Sequence, residues 1–556
     1  MDKHNLITRN IAAGRIVNGQ WIKETLSDLW DINAKKYPDQ EALVSSQERI
    51  TWREANDQIT AVAIGLKECG FERDDALVVQ LPNWIDSFIL RVACDRAGII
   101  CVTAQMTLLE KDMEFILNQT KAKGLVLPYK WRGRDYYKKF LDIRQNLPHL
   151  KHIFISGGKA VPGTILINEL RQKDIKKKYS PDDYGELKYK ADESMILTLT
   201  GGTTGVPKLV ESPSNTRLTA YFQMASSFFS PTSEDVIGIT YNHPIGPVSQ
   251  AYYIPPLFGI KVALLEMERF EPEQVIQFIH RERVTWLPLV PTLLVIMLED
   301  PHIDEYLTKF DTKSLRLIVT GGAELPVHIA RKAEEKLGVK VVNSFGISDA
   351  MAVTASPIDS ASEIRWKTVG KIPDGGEIKL VNEEGIEVPK GEVGEIWFRG
   401  IFVTGAYFNN PEATREVWTE DGWFKSGDLG VFDENGNLTV VGRKKDMIIR
   451  GGQNIYPREI EDLLLTHPNV ADVAVVGIPD PIMGEKACAF VAIRKGMLFT
   501  FDDMVNFLQE KKIAMFKIPE KLELISDIPR IPETKKIDKK SLRHLIVEKL
   551  KAEQKA

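Results

Sequence analysis

The segment from residue 195 to residue 208 constrains the fold of this chain most, because an apolar run there leads directly into a glycine-rich loop. The run 195–197 predicts a buried strand that ends at Thr200. The loop that follows combines glycines, threonines and a lysine: Gly201, Gly202, Thr203, Thr204, Gly205 and Lys208. Glycine leaves backbone amides free to face an anion, and the hydroxyls and the ammonium add donors and charge. The segment therefore predicts a strand followed by a loop that binds polyphosphate.

This loop is not a Walker A element. Lys208 lies three residues after Gly205, and Leu209 follows it where a Walker A loop has Ser or Thr. A flexible glycine turn between two strands is the simpler interpretation, but it gives no reason for the hydroxyls and the lysine.

Helical and strand patterns alternate from about residue 25 to about residue 440, which is typical of a layered α/β fold with much parallel sheet. The clearest predicted strands are 76–81, 315–320 and 339–344, and the clearest predicted helix is 84–94. Two of these strands lead into loops with small residues, at Gly321–Ala323 and at Phe345–Gly346. Because ligands bind beyond the carboxyl ends of parallel strands, we expect the active crevice there.

The pattern changes between about residues 370 and 442 to short alternating segments broken by glycine, which predict a small antiparallel sheet or barrel. A charged junction at Arg443–Asp446 ends this part. The remaining residues carry predicted helices and strands of their own, at 457–466, 501–511, 470–476 and 487–493. We predict the α/β class: a large N-terminal domain of layered α/β subdomains plus a small antiparallel β subdomain (1–444), then a small mobile α+β C-terminal domain (445–556).

Composition excludes several functional classes. The length of 556 residues suggests several folding units at about 150 residues each, and the net charge of −5 argues against a general nucleic-acid binder. The 4 cysteines form no CxxC pair, which fits a reducing compartment without a zinc cluster or a disulfide framework. No apolar run of about 18 residues could span a bilayer, and the prediction is a cytoplasmic protein. A homodimer is left open.

Several later motifs decide what the phosphate loop is for. Along nearly the whole chain, the loop and these motifs follow in the order Thr200–Lys208, Phe345–Asp349, Ser426–Asp428, Gly442–Asp446, Gly451–Pro457 and Lys535–Asp538. In order and spacing they resemble the adenylate-forming superfamily of acyl-CoA synthetases, peptide-synthetase adenylation domains and luciferases. The resemblance implies that a carboxylate attacks the α-phosphorus of ATP, magnesium pyrophosphate departs, and a thiol then attacks the acyl-adenylate. It implies ATP, Mg2+ and CoA as cofactors, with residues 1–444 as the adenylation domain.

The resemblance also implies the nucleotide site. The loop would hold the β- and γ-phosphates, with Thr204 and Lys208 acting on the charge that builds on pyrophosphate. Phe345 would stack on adenine, and Asp428 would accept the ribose hydroxyl protons, although a turn aspartate is the alternative for Asp428. Arg443 would add donors near the ribose and the phosphate. The full set implied for ATP is Thr200, Gly201, Gly202, Thr203, Thr204, Gly205, Lys208, Gly322, Ala323, Glu324, Ser344, Phe345, Gly346, Asp428 and Arg443.

Catalysis and domain rotation are implied for the C-terminal part. Lys536 matches the catalytic lysine that bridges the carboxylate and the α-phosphate and stabilises the transition state. By itself it is one lysine in a basic tail, so its role depends on the match. Lys445 occupies the hinge position, where rotation would exchange Lys536 for Gly451 and Gly452 in the thioester step.

The sequence departs from the family pattern at three positions. Asp349 stands where the family has a glutamate that helps to hold magnesium, and it is one methylene shorter. Lys535 replaces a glycine just before Lys536, so either lysine could be the catalytic one. Gly202 replaces a common serine, a variant that looks most like the branch that activates aryl acids.

The acid pocket is implied by the segment 240–247. Asn242 falls where aryl-acid relatives place an asparagine that bonds a ring hydroxyl, and His243 could stack on a ring or be an ordinary core histidine. The predicted pocket residues are Asn242, His243, Gly246, Gly322, Gly346, Met351 and Val353. This compact, mostly apolar set suits a benzoate-like or alicyclic ring.

Three functions are compatible with these motifs. The first is an AMP-forming acyl-CoA synthetase for an aryl or alicyclic carboxylic acid. The second passes the aryl-adenylate to the phosphopantetheine of a separate carrier protein, as in siderophore assembly. The third is a nucleotide-binding regulator without catalysis, which the changes at Asp349 and Lys535 suggest and which Asp428, Arg443 and Lys536 argue against.

Overall fold

A computed structural model gives the fold of residues 21–159, 161–173, 188–193, 195–200, 208–241, 246–401, 403, 406–451, 453–531 and 536–555. The chain divides into two compact units. The first comprises residues 1–378 and 398–425, and the second comprises residues 379–397 and 426–556. The domain boundary near residue 445 stays a prediction.

The strands of the described residues are, in chain order, β1 (Glu41–Val44), β2 (Arg49–Thr51), β3 (Ala76–Val79), β4 (Ile100–Thr103), β5 (Gly124–Pro128), β6 (His152–Ser156), β7 (Ile165–Leu166), β8 (Met195–Thr200), β9 (Lys208–Pro213), β10 (Val236–Ile239), β11 (Lys261–Leu264), β12 (Trp286–Leu289), β13 (Leu317–Gly321), β14 (Lys340–Ile347), β15 (Ala352–Ala355), β16 (Gly376–Val381), β17 (Gly394–Gly400), β18 (Ala406–Tyr407), β19 (Phe424–Phe432), β20 (Leu438–Arg443), β21 (Ile448–Arg450), β22 (Gln453–Ile455), β23 (Val470–Asp480), β24 (Gly484–Ile493) and β25 (Lys521–Ile525).

The α-helices of the described residues are α1 (Leu26–Lys36), α2 (Trp52–Glu68), α3 (Ile85–Ala97), α4 (Glu110–Thr120), α5 (Tyr136–Leu141), α6 (Ile167–Arg171), α7 (Ser214–Phe228), α8 (Gln250–Phe258), α9 (Pro272–Glu282), α10 (Pro291–Leu298), α11 (Ile303–Lys309), α12 (Val327–Leu337), α13 (Ser362–Lys367), α14 (Pro411–Val417), α15 (Pro457–Leu464), α16 (Phe501–Glu510) and α17 (Lys539–Lys555). Capping boxes start three of them, because Thr25, Thr51 and Thr500 each accept a bond from the third residue of the helix and that residue bonds back.

The first unit contains two eight-stranded, mostly parallel sheets. One has the order β15-β14-β13-β12-β10-β11-β1-β2, and the other has the order β18-β9-β8-β4-β3-β5-β6-β7. Antiparallel pairing is found at their ends, between β14 and β15, β1 and β2, β8 and β9, and β9 and β18. This arrangement confirms the predicted layered α/β fold.

Strand residues alternate between separate hydrophobic cores, which shows how the layers are stacked. Leu317 and Val319 of β13 point into a core shared by both sheets, whereas Ile318 between them points into a second core. Successive strand residues face opposite sides, so each sheet is covered on both faces. The shared core also takes buried residues from α1, α2, α3, α7 and α8, which places those helices between the sheets.

The second unit contains the C-terminal sheet, with the order β22-β21-β24-β23 and β25 paired to β24. The predicted helices and strands of this region are confirmed, and β23 extends to Asp480 because its pairing with β24 continues to the register Asp480↔Gly484. A further sheet, β16-β17-β19-β20, forms where the short alternating segments predicted one, and the division between the units falls within β16, β17 and β19.

The strands predicted at 76–81, 315–320 and 339–344 are β3, β13 and β14. In the ranges that the structure describes, no helix combines the length and the apolar character needed to cross a membrane. The cytoplasmic location and the homodimer stay predictions.

Candidate active site

The predicted phosphate loop is held at both ends by a pair of antiparallel strands. Thr200 closes β8 and pairs directly with Lys208, which opens β9. The strand predicted to end at Thr200 is thereby confirmed. Residues 201–207, which include Gly201, Gly202, Thr203, Thr204 and Gly205, lie outside the described residues.

Tyr407 connects Lys208 to Asp349, and sequence reasoning missed it. The ammonium of Lys208 lies 4.6 Å from the centre of the Tyr407 ring, a cation–π distance. The Tyr407 hydroxyl donates a hydrogen bond of 2.6 Å to Oδ1 of Asp349. Burial, together with the adjacent Asp349, raises the pKa of Tyr407, so the phenol stays protonated and remains a donor. Tyr407 thus orients both a cation and a carboxylate at the end of the phosphate loop.

The surroundings of Asp349 fit a magnesium ion that is held mainly by phosphates. Among the described residues, no group of three or more His, Cys, Asp or Glu side chains is arranged around a metal. Mg2+ typically uses one or two carboxylates and completes its shell with substrate phosphates and water. Oδ1 of Asp349 accepts the hydrogen bond from Tyr407, and the other carboxylate oxygen could bind Mg2+. One carboxylate is enough for an ion that phosphates and water also bind.

Strands β13 and β14 bring the predicted adenine-side loops together. They are parallel neighbours with the register Gly321↔Ser344, and the Ser344 hydroxyl donates to the Thr320 carbonyl at 2.8 Å. A Cβ on Gly321 would lie 2.5 Å from the Ser344 carbonyl oxygen, so only glycine fits this approach. Gly322, with φ of +82°, then turns the chain into the loop that carries Ala323 and Glu324.

Phe345 extends this edge of the sheet. Its half-buried ring lies 6.0 Å from the ring of buried Phe398, at an interplanar angle of 32°. The next residue, Gly346, is exposed and pairs with Val353 of β15. The prediction that Phe345 and Gly346 form a loop is wrong, because both residues continue β14, which runs to Ile347, and pair with Thr354 and Val353 of β15.

The predicted acid-pocket residues are only partly described. Val353 is half-buried and pairs with Gly346, and Met351 is buried in a left-handed conformation with φ of +52°. Gly346 and Val353 are therefore adjacent. Gly246 begins a 3-10 turn that runs to Ser249. Asn242 and His243 lie outside the described residues.

Asp428 and Arg443 face each other across β19 and β20. They are register partners, and Arg443 Nε lies 3.4 Å from Asp428 Oδ1. Gly427 adopts a φ of +71°, and the Asp428 amide donates to the Ser426 hydroxyl at 3.0 Å, so the turn before the carboxylate is fixed. The Asp428 side chain is only 14% exposed.

Positive charge is concentrated around this one carboxylate. Burial raises the pKa of Asp428, and Arg443, Lys536 and Lys445 partly offset that increase. The pKa of Lys536 is lowered first by burial of the amine and next by Arg443, although much of the residue's surface is open to solvent. Burial and Arg443 also lower the pKa of Lys445. The structure therefore places Lys536, Lys445 and Arg443 within electrostatic reach of Asp428, an arrangement suited to an anionic ligand. Lys535 lies outside the described residues.

Glu395 joins two of the motifs, and sequence reasoning also missed it. One carboxylate oxygen accepts the Gly427 amide at 3.2 Å, and the other accepts the Lys444 ammonium at 3.0 Å. Glu395 is buried on β17, where a charge needs such partners. It therefore ties the Ser426–Asp428 turn to the segment that follows Arg443. An isolated glutamate in a strand gives no sequence signal for such a role.

The predicted hinge lies on a short element. Lys445 is the middle residue of a 3-10 turn, Lys444–Asp446, between β20 and β21. Asp446 accepts a hydrogen bond of 3.1 Å from Arg543 of α17. Gly451 has a φ of +56°, and a Cβ there would lie 2.5 Å from the Met483 side chain. Gly452 lies outside the described residues.

Comparison with known families agrees with these features. The family described as AMP-binding enzyme matches residues 30–408, and the family described as AMP-binding enzyme C-terminal domain matches residues 459–535. The chain belongs to the AMP-binding enzyme family. The resemblance to adenylate-forming enzymes and the class of AMP-forming acid–thiol ligase are thereby confirmed.

Individual relatives differ in the acids that their names give. The chain is 30% identical over 541 residues to the protein of Danio rerio named medium-chain acyl-CoA ligase ACSF2, mitochondrial. The alignment covers 93% of this chain and 88% of that protein. It is 27% identical over 542 residues to the 2,3-dihydroxybenzoate-AMP ligase of Bacillus subtilis, covering 96% of each. The solved anthranilate CoA ligase AuaEII, in complex with anthranoyl-AMP, has a TM-score of 0.84, 23% identity and coverage of 95% of this chain and 98% of that chain, which shows the fold.

We predict that Glu395→Gln weakens ATP binding while leaving the chemical step largely intact. The glutamine amide keeps one acceptor oxygen but places its NH2 group against one of the two donors, the Gly427 amide or the Lys444 ammonium. The turn that carries Asp428 therefore loses one of the hydrogen bonds that hold it. The KM for ATP should rise about tenfold, or ~1.4 kcal/mol, with a much smaller change in kcat.

The matched control is Glu392→Gln, an exposed carboxylate at the turn before the same strand, which should change neither constant. A fall in kcat at unchanged KM, in a variant with wild-type circular dichroism and Tm, would contradict the role of Glu395.

Proposed function

We propose that the protein uses ATP to convert an aryl or alicyclic carboxylic acid into an acyl-adenylate and then transfers the acyl group to the thiol of CoA. In the first step, a carboxylate oxygen bonds to the α-phosphorus, and the bond from that phosphorus to the β-phosphate oxygen breaks, which releases pyrophosphate. In the second step, the thiol sulfur attacks the carbonyl carbon, loses its proton, and displaces AMP.

The observation that supports this proposal most is the group of cations around Asp428. A ribose would donate its hydroxyl protons to the buried carboxylate, which can accept two of them. Arg443 and Lys536 would then face the phosphate side of the same nucleotide. Charge that spreads over the attacking carboxylate and the α-phosphate is stabilised by cations that are already in place.

The lowered pKa of Lys536 fits this role. An ammonium that is crowded by other cations gains more from an incoming anion than one that is fully solvated. Its positive charge is therefore of most use when the negative charge of the transition state arrives, which is the condition for a faster chemical step.

Other motifs of the chain would supply the remaining contacts with ATP. Lys208 would act on the departing pyrophosphate, Phe345 would stack on the adenine, and Gly322 and Gly346 would allow close approach of backbone. Asp349, oriented by Tyr407, would hold Mg2+. When bound, that ion would neutralise charge on the β- and γ-phosphates.

The adenylation and thioester steps would use different faces of the C-terminal part. We assign residues 1–444 to the adenylation domain and residues 445–556 to a mobile domain that rotates at Lys445. The 3-10 turn Lys444–Asp446 is a short connection of the kind that absorbs such a rotation. Rotation would exchange Lys536 for Gly451 and Gly452 beside the acyl-adenylate.

A second candidate function keeps the first step and replaces CoA by the phosphopantetheine of a separate carrier protein. Gly202 and the similarity to the 2,3-dihydroxybenzoate-AMP ligase favour it. An apolar pocket with a few polar groups would serve either acceptor.

The acceptor is decided by a panel of aryl, alicyclic and medium-chain acids tested for exchange of labelled pyrophosphate into ATP, followed by AMP release with and without CoA. We predict that cyclic acids support exchange and that CoA gives stoichiometric acyl-CoA and AMP. Exchange with cyclic acids without any thioester to CoA would overturn the CoA proposal in favour of the carrier. Exchange with medium-chain acids alone would overturn the proposal that the substrate contains a ring.

Lys536→Ala should separate the two half-reactions. Loss of the bridging cation should slow pyrophosphate exchange about 100-fold or more, whereas supplied acyl-adenylate and CoA should still give thioester at near the wild-type rate. Lys540→Ala, an exposed lysine on α17, and Lys535→Ala are the controls and should retain exchange. An equal loss of both half-reactions in Lys536→Ala would count against the rotation, and loss in Lys535→Ala would move the catalytic role to that residue.

A further inference from the structure

Two buried arginines of the first unit have no carboxylate partner among the described residues, although buried arginines normally have one. Arg91 on α3 and Arg217 on α7 are each 3% exposed. Two other deeply buried arginines and the partly buried Arg171 are paired: Arg96 with Asp31 at 2.7 Å, Arg365 with Glu334 at 2.5 Å, and Arg171 with Asp86 at 2.8 Å. Neither Arg91 nor Arg217 forms an ion pair within the part of the chain that the structure describes.

The two guanidinium groups lie on the same tyrosine. Arg91 Nη1 donates to the Tyr253 hydroxyl at 2.5 Å, and the Cζ atoms of Arg91 and Arg217 lie 5.5 Å and 5.6 Å from the Tyr253 ring centre. Arg91 also covers the Tyr252 ring, at 4.1 Å. Arg217 Nη2 donates to the Thr198 hydroxyl at 3.1 Å. Helices α3, α7 and α8 and strand β8 therefore converge on two positive charges.

The residues that the structure describes use little of the hydrogen-bonding capacity of these arginines. Each donates one of its five N–H groups to a described residue, and the Nε of each is buried without any partner. The side-chain oxygen of Gln250, three residues before Tyr253 and on the same side of α8, is likewise buried and unpartnered. A buried charge without a counter-charge costs several kcal/mol, and unmet buried donors add to that cost.

The titratable groups near the two arginines, among the described residues, are a thiol pair, one aspartate with another partner, and phenols. Cys101 lies within electrostatic reach of both arginines and is hydrogen-bonded to Cys94, which lowers its pKa, as the two arginines also do. Asp95, the next acidic group, accepts the Ser27 amide at 2.8 Å. The other neighbours are the phenols of Tyr221, Tyr252 and Tyr253, and burial raises the pKa of the first two, which keeps them uncharged.

The arginine pair lies next to the elements that carry the proposed acid site. Thr198 precedes Thr200, the start of the phosphate loop, by two residues of strand, or about 7 Å. Tyr253 stacks on Tyr221 at 4.9 Å, and the Tyr221 hydroxyl is hydrogen-bonded to Ser249, at the end of the 3-10 turn that Gly246 begins. A molecule with one end at the phosphate loop could therefore present its other end to the arginines.

We infer that the acid activated by this enzyme is a dicarboxylic acid, whose second carboxylate is bound by Arg91 and Arg217. The inference rests on the proposed function and names the substrate class of that same site. A carboxylate accepts hydrogen bonds from two guanidinium groups and supplies the missing negative charge. A ring or a short chain would separate this second carboxylate from the one that reacts.

The test compares matched pairs of acids in the pyrophosphate-exchange assay: benzoate with terephthalate, cyclohexanecarboxylate with cyclohexane-1,4-dicarboxylate, and hexanoate with adipate. The enzyme should favour at least one dicarboxylate over its partner by about 100-fold in kcat/KM, as expected for an unpaired buried charge. If no acid of any kind supports exchange, the proposed function itself fails. If the monocarboxylates are the better substrates throughout, only the inference of a second carboxylate fails.

Arg91→Met and Arg217→Met remove one charge each at similar volume. Both should fold with a Tm no lower than the wild type, because a buried charge without a partner is replaced by an apolar side chain. Each should lower the preference for the dicarboxylate at least tenfold, mainly through KM, and Arg217→Lys should retain part of it. Arg96→Met is the control, since it removes the ion pair with Asp31 and the hydrogen bonds to Ser27 and Asn56 and should lower Tm without changing the preference.

Unchanged preference in both methionine variants would overturn the inference. A thiolate absorbance of Cys101 in the acid-free wild type, lost in Cys101→Ala together with a lower Tm, would also overturn it, because the protein would then supply its own counter-charge.

Discussion

The account depends on the burial of one carboxylate, Asp428, among several cations. Water is largely removed from Asp428, and Arg443, Lys445 and Lys536 share its surroundings, so the local charge is positive overall. An anion that arrives there is stabilised more strongly than in water, because the same charges interact across a less polar medium. Glu395 holds the turn that carries Asp428 and so fixes the position of the whole group. The proposed role of Lys536, which the family resemblance implies, depends on this arrangement of charges.

Much of the scaffold was predictable because periodicity reports burial directly. The apolar runs that became β3, β8, β13 and β14 are short and continuous, as strands covered on both faces must be. The glycines after β13 were also informative, since Gly321 is required by the close approach of the Ser344 carbonyl. Both signals are local in the sequence, and therefore a single chain displays them.

The residues that sequence reasoning missed act over long separations. Tyr407 reaches Asp349 across 58 residues, and Glu395 reaches Gly427 and Lys444 across 32 and 49 residues. Arg91 and Arg217 lie in ordinary helical patterns and become unusual only because the fold buries them with no carboxylate partner in the part of the chain that the structure describes. Such pairings depend on sheet order and helix packing, which neither spacing nor composition encodes. The family resemblance supplied the roles of Asp428 and Lys536, and the geometry adds the residues that support them.

The central claim, that a carboxylate oxygen displaces pyrophosphate at the α-phosphorus, is tested most directly by isotope transfer. A carboxylic acid labelled with 18O in both carboxylate oxygens is converted by the purified enzyme with ATP and CoA, and the products are examined by mass spectrometry. The account predicts AMP that carries one 18O atom and pyrophosphate that carries none. Label in inorganic phosphate with release of ADP, or AMP without label, would contradict it.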